Sequence, residues 1–158
     1  MISANIVPSK VLLISPKHRG RRGEMSKRKI MVVDDELDMR VFISTLLETN
    51  GYKPLVATQG IEGIQKARET RPDLIILDIM MPEQGGIQMY REIKTDDALK
   101  HIPVVICSGI AKKTYFYSQN LLDSHNGKSV PEPDAYIEKP PESDELLECI
   151  EKLLGPKE

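Results

Sequence analysis

Five short apolar runs recur along the chain from Lys29 onward, and each is followed by a longer stretch in which apolar residues return with helical spacing. Runs that are apolar without alternation mark strands buried on both faces, as in parallel sheets, whereas a 3.6-residue recurrence marks amphipathic helices. The pattern predicts strands at about Lys29–Val33, Lys53–Ala57, Leu74–Leu77, Val104–Cys107 and Ala135–Glu138. Strands and helices that alternate in this way build a doubly wound α/β domain with a parallel sheet. No internal repeat is present.

The first helix is expected over about Leu37–Thr49, with Val41, Phe42, Leu46 and Leu47 as its apolar face and Asn50-Gly51 as its stop. The second covers about Ile61–Thr70 and ends before Pro72. A turn at Pro82-Glu83-Gln84-Gly85-Gly86 leads into the third, which sets Ile87, Tyr90 and Ile93 on one side. The fourth carries Tyr115-Phe116-Tyr117, and adjacent helical residues cannot all face inward, so at least one ring is expected at the surface. The last runs from about Ser143 to Leu154, with Ser143 as N-cap, Leu146, Leu147, Ile150 and Leu153 packed, and Gly155-Pro156 as its end.

At 158 residues the chain is large enough for one domain with a core of its own, and 29% charged residues without an 18-residue apolar tract point to a soluble, cytoplasmic protein rather than a membrane one. Cys107 and Cys149 read as small buried hydrophobes of a reducing compartment. The charge is unevenly spread. Of 22 Lys and Arg and 24 acids, residues 1–29 hold eight bases and one acid, which leaves 14 bases, 23 acids and a net charge of -9 on the remainder. So acidic a body argues against direct nucleic-acid binding.

The sequence divides into a basic arm (1–28), a domain (29–155) and a short tail (156–158). Within the arm, Val11-Leu12-Leu13-Ile14 is too short for a secretory signal. The codons available to Arg21-Arg22-Gly23-Glu24 are purine-rich, as in a bacterial ribosome-binding sequence, which makes Met25 a candidate start and the preceding residues a candidate leader.

The predicted carboxyl ends of the strands collect Asp34 and Asp35, Asp78, Ser108 and Lys139, at the edge where open α/β sheets place their sites. Clustered carboxylates repel one another unless a divalent cation neutralises them, and oxygen ligands of this kind suit Mg²⁺. With that charge offset, an aspartate can act as nucleophile toward phosphorus while a lysine and a hydroxyl hold the phosphoryl oxygens.

Four segments make the pattern specific: Val32-Val33-Asp34-Asp35-Glu36; Leu77-Asp78-Ile79-Met80-Met81-Pro82 with Gly86 eight residues past Asp78; Ser108-Gly109; and Tyr136-Ile137-Glu138-Lys139-Pro140. In this order the chain resembles the receiver domains of two-component response regulators, the CheY-like group. The resemblance implies a flavodoxin-like sheet of order 2-1-3-4-5 with helices on both faces. It implies Asp78 as phosphoacceptor, Mg²⁺ bound by Asp35, Asp78 and the Met80 carbonyl with Asp34 acting through water, Lys139 on the phosphoryl group, and a cis Lys139–Pro140 bond. It further implies a Ser108 that moves to the phosphoryl group and a Tyr136 that then turns inward. Those movements reshape the face of the fourth helix, fifth strand and fifth helix for a downstream protein effector. The implied donor is a sensor histidine kinase or a histidine phosphotransfer protein.

Taken singly these residues carry little: a serine that ends a strand is usually a turn residue, and a tyrosine in a strand is usually core. Their joint placement carries the argument. His18, His101 and His125 fall in expected tails or loops without metal-ligand spacing. Two features depart from the resemblance. Thirty residues separate Ser108 from Lys139, with the surplus at about 125–134, which predicts an enlarged loop. Met80 and Ile110, two past Asp78 and Ser108, are apolar and cannot hydrogen-bond an attacking water, so slow autodephosphorylation is expected.

Nineteen residues follow Lys139, room for the last helix and no attached output module, so a stand-alone switch is expected rather than an enzyme. Two alternatives stand beside it. One is a receiver-shaped scaffold that works without phosphorylation. The other is a phosphatase of the haloacid dehalogenase type, which would want an acid where Met80 stands.

Overall fold

The structure, a computed structural model, describes residues 26–157 apart from 83–84 and 127–128, and residues 121–126 by their helical backbone. The arm and the question of Met25 lie outside the described residues. Ten elements alternate: β1 (Lys29–Val33), α1 (Leu37–Thr49), β2 (Lys53–Ala57), α2 (Gly60–Thr70), β3 (Leu74–Leu77), α3 (Gly86–Thr95), β4 (Val104–Ser108), α4 (Lys112–Asn126), β5 (Ala135–Glu138) and α5 (Ser143–Leu154). The strands form one parallel sheet in the order β2-β1-β3-β4-β5. This is the expected doubly wound α/β sheet.

Successive strand residues face opposite sides, so each central strand feeds two cores. Ile30, Val32, Leu74, Ile76, Val105 and Cys107 pack with Ile43 and Leu47 of α1 and with Leu146 and Ile150 of α5. Met31, Val33, Ile75, Leu77 and Val104 pack with Ile64 and Ala67 of α2 and with Met89, Tyr90 and Ile93 of α3. A third cluster forms around Ile79, Ile106, Tyr115 and Tyr136. Tyr115 is buried and Tyr117 exposed, so the aromatic triplet divides as its spacing requires. Cys107 is buried and burial pushes its thiol pKa up to about 12; both cysteines are unpaired.

Three local expectations are corrected. In α1 the inward line is Met39, Ile43, Leu46 and Leu47, at i, i+4, i+7 and i+8, while Val41 and Phe42 are exposed. In α5 the N-cap is Glu142, not Ser143, and it makes no side-chain capping hydrogen bond. His125 lies in the last turn of α4 rather than in a loop, whereas His101 lies in the turn before β4.

Of the segment expected to enlarge the loop, residues 130–134 are anchored to the domain. Val130 packs against the core on the α3 side, and the Tyr90 hydroxyl donates to the Pro131 carbonyl. The Asp134 carboxylate accepts from the Val104 amide at 2.8 Å and pairs with Lys94 at 3.5 Å.

Candidate functional site: an acidic pocket at the carboxyl edge of the sheet

The strand ladder continues one residue beyond the strands themselves. Asp34 N donates to Ala57 O (3.2 Å), Asp78 N to Val33 O (2.9 Å) and Lys139 N to Ser108 O (2.9 Å). These bonds bring the first residue after β1, β3 and β5 to one level at the sheet's carboxyl edge. Gly86 closes the floor: a Cβ at this position would stand 2.0 Å from the Asp78 carbonyl oxygen, so the start of α3 approaches the phosphoacceptor candidate more closely than any side chain allows.

Asp34 and Asp78 are buried, whereas Asp35 and Glu36 are exposed. Carboxylate oxygens of all four lie within 4.8 Å of one another. Lys139 enters from the end of β5, and its Nζ lies 2.8 Å from Asp34 Oδ2, 3.0 Å from Asp78 Oδ2 and 3.0 Å from Glu36 Oε1. Each aspartate is also held by a backbone amide two residues on. Asp34 Oδ1 accepts from Glu36 N at 2.9 Å, and Asp78 Oδ1 from Met80 N at 2.8 Å. Both carboxylates are therefore fixed in rotation, which is the pre-organisation a buried nucleophile needs.

The electrostatics follow from burial and pairing. Burial pushes the Asp34 pKa up, against the opposing effect of Lys139 and the Glu36 amide. Burial of the Lys139 ammonium works to lower its pKa, but the hydrogen bonds to Asp34, Glu36 and Asp78 outweigh it and the net shift is upward. Four carboxylates face one ammonium in the pocket, an excess of negative charge with oxygen donors throughout. The residues present thus fit a hard divalent cation such as Mg²⁺.

Ser108 ends β4 fully buried, and its Oγ accepts from the Ile110 amide at 3.3 Å. Tyr136 is turned inward. Its hydroxyl donates to the Ile110 carbonyl at 2.6 Å, and its ring stacks 5.2 Å from Tyr115 and 6.2 Å from Phe116. Burial raises the Tyr136 pKa, a hydrogen bond with Ser108 opposing. Met80, next but one to Asp78, is 59% exposed, and Ile110 leans on the aromatic cluster. The Lys139–Pro140 peptide is cis.

Glu36 was not singled out from the sequence as a Lys139 partner. Its only signal there was its place as third acid in Asp34-Asp35-Glu36.

Residues 30–151 match the model of the response regulator receiver domain. The polar-differentiation response regulator DivK of Brucella anthropi is 36% identical over 131 residues, which cover 83% of this chain and 98% of the relative. The N-terminal domain of a response regulator receiver protein from Methanoculleus marisnigri superposes with a TM-score of 0.56 at 32% identity, covering 82% and 98% of the two chains. The chemotaxis response regulator CheY4 of Vibrio cholerae shares the fold, with a TM-score of 0.69 at 22% identity and coverage of 82% and 100%. Sheet order, pocket and family match agree, and the chain belongs to the response regulator receiver domain family.

Proposed function

We propose that the chain is a phosphorylation-dependent signalling switch whose receiver domain spans 29–155 and whose phosphoacceptor is Asp78. One observation carries this reading: Asp78 is a buried carboxylate with one oxygen fixed by the Met80 amide and the other on Lys139, inside a pocket of three further acids. Asp34, Asp35, Asp78 and the Met80 carbonyl would hold Mg²⁺, which supplies neutralisation of the acids and screening of the incoming phosphate. In transfer from a phosphohistidine, an Asp78 oxygen bonds to phosphorus as the P–N bond breaks, and that electron pair stays on the imidazole nitrogen. Lys139 steadies the phosphoryl oxygens.

Ser108 is the hydroxyl that reaches toward the new phosphoryl group, carrying the β4–α4 loop with it. Tyr136 responds with it, because its hydroxyl is bonded to the Ile110 carbonyl in the same loop whose amide donates to Ser108. The altered surface of α4, β5 and α5 then docks a protein effector in the cytoplasm, while a histidine kinase or phosphotransfer protein supplies phosphate. The basic arm before residue 29 takes no part in this reading.

Intact mass after incubation with Mg²⁺ and acetyl phosphate tests it, beside Asp78→Asn. The expected result is a single phosphate adduct that the variant lacks. Absence of an adduct under saturating donor would favour a phosphorylation-independent scaffold, and steady release of phosphate at many turnovers would favour a phosphatase.

A further inference from the structure

Residues 129–133 close a cavity of about 200 Å³ against α3 and α4, with Tyr90, Tyr115 and Phe116 on the helix side. The segment that closes it is held at three points. Val130 packs on the core, the Tyr90 hydroxyl donates to the Pro131 carbonyl, and just beyond the segment the Asp134 carboxylate accepts from the Val104 amide at 2.8 Å. An apolar cavity of about 150 Å³ takes a benzene ring, so this one has room for a ring with a small substituent. Its aromatic residues, with Pro131 and Pro133, offer water few partners, which favours displacement of water by a flat apolar body. One polar group in the wall is unsatisfied: Gln119 Nε2 is buried and has no hydrogen-bond partner. That burial costs stability, and an acceptor brought by a ligand would remove the cost. Gln119 as a residue is only half-buried, so its side chain has room to turn toward such an acceptor. Among the described lining residues Glu132 alone is charged, which disfavours an anion.

We propose that this cavity is a binding site for a small uncharged molecule made of one aromatic ring and a carbonyl-type acceptor, with the ring against Tyr90, Tyr115 and Phe116 and the acceptor on Gln119 Nε2. Tyr136 stacks 5.2 Å from Tyr115 and 6.2 Å from Phe116, and its hydroxyl bonds to the Ile110 carbonyl. An occupant therefore bears on the rings that brace the β4–α4 loop while it stays clear of the acidic pocket. The site requires no role for Asp78, and it stands or falls apart from the phosphoacceptor reading.

The test is titration of the isotope-labelled full chain with benzamide, followed by NMR amide shifts, on wild type and Gln119→Leu, with benzoate as the charged counterpart. Saturable shifts centred on Tyr115, Phe116 and Val130 are expected, with a dissociation constant in the millimolar range that ligand efficiency allows so small a probe. Gln119→Leu nearly keeps the volume of the wall and removes the donor. It should bind benzamide about fivefold more weakly, the worth of one hydrogen bond, and its urea midpoint should be no lower than wild type because an unpaired buried donor is gone. Benzoate should bind wild type at least about tenfold more weakly than benzamide, since its charge must leave water. Absence of saturable shifts at the cavity wall overturns the proposal and leaves the cavity to water. Shifts centred elsewhere, or equal benzamide binding by Gln119→Leu, overturn it as well. A lowered midpoint in Gln119→Leu would give Nε2 a partner in the free protein and remove its assignment to a ligand, and benzoate binding as tightly as benzamide would refute the uncharged class.

Discussion

Gly86→Ala adds one carbon where the fold has no room for it. The new Cβ would lie 2.0 Å from the Asp78 carbonyl oxygen, 2.7 Å from Ile79 Cα and 2.8 Å from the Asp78 carbonyl carbon, all backbone atoms. The Asp78 peptide cannot retreat freely, since its amide is bonded to Val33 O at 2.9 Å. The start of α3 must instead withdraw by roughly 1.5 Å to regain an ordinary separation. That shift pulls on Met89, Tyr90 and Ile93, all buried in the core. Overpacking of this kind costs about 1–3 kcal/mol, and a backbone-on-backbone contact belongs at the upper end. Alanine returns at most about 0.5–1 kcal/mol of helix propensity, and less in a first turn.

A net loss of about 2 kcal/mol is expected, seen as a lower urea midpoint at unchanged m value and a Tm lower by roughly 6–8 °C. Gly63→Ala is the matched control. Its Cβ meets the Met89 thioether end at 2.7 and 2.8 Å, a flexible tip that can swing aside, and Gly63 lies inside α2, where alanine is favoured. It should stay within about 1 kcal/mol of wild type. Gly86→Ala at the wild-type midpoint, or Gly63→Ala equally damaged, would refute the reasoning.

Three further outcomes follow from the pocket. Lys139→Met leaves Asp34 and Asp78 buried without their cation and should destabilise the chain by roughly 3 kcal/mol, with part of the loss recovered by added Mg²⁺; an unchanged urea midpoint would contradict this. Burial holds the Asp34 pKa above the ordinary aspartate value, so its contribution to stability is full below that ordinary value and is lost as pH rises through the folded pKa. Asp34→Asn should flatten the fall in stability between acid and neutral pH, and a parallel pH profile in the variant would count against it. Met80→Asn places a polar group at an exposed position next but one to Asp78 and should speed phosphate release from labelled protein severalfold; equal decay would show that the apolar side chain does not limit water.

The elements were legible because strand and helix are local codes. The runs Ile30–Val33 and Leu74–Leu77 are dense in β-branched and aliphatic residues, and their ends coincide with the strand ends in the fold. The acids were legible for the same reason: Asp34 and Asp78 follow those runs directly, so parallel strands must deliver them to one edge. Which side of α1 faces inward was harder to read. Val41, Phe42 and Ile43 are adjacent and all apolar, and only the docking of α1 on the sheet selects Ile43.

What the sequence determined by itself is the order of strands and helices and the set of chemical groups at the sheet's carboxyl edge, because both follow from spacing along the chain. The tertiary structure alone decided how those groups engage one another. Lys139 meets Glu36 across 103 residues, Tyr136 turns inward onto the Ile110 carbonyl, and Gly86 lies against the Asp78 backbone. None of these contacts has a local signature. Each arises when β5 joins β4 and α3 folds back on β3, which sets distances between residues that spacing along the chain leaves free.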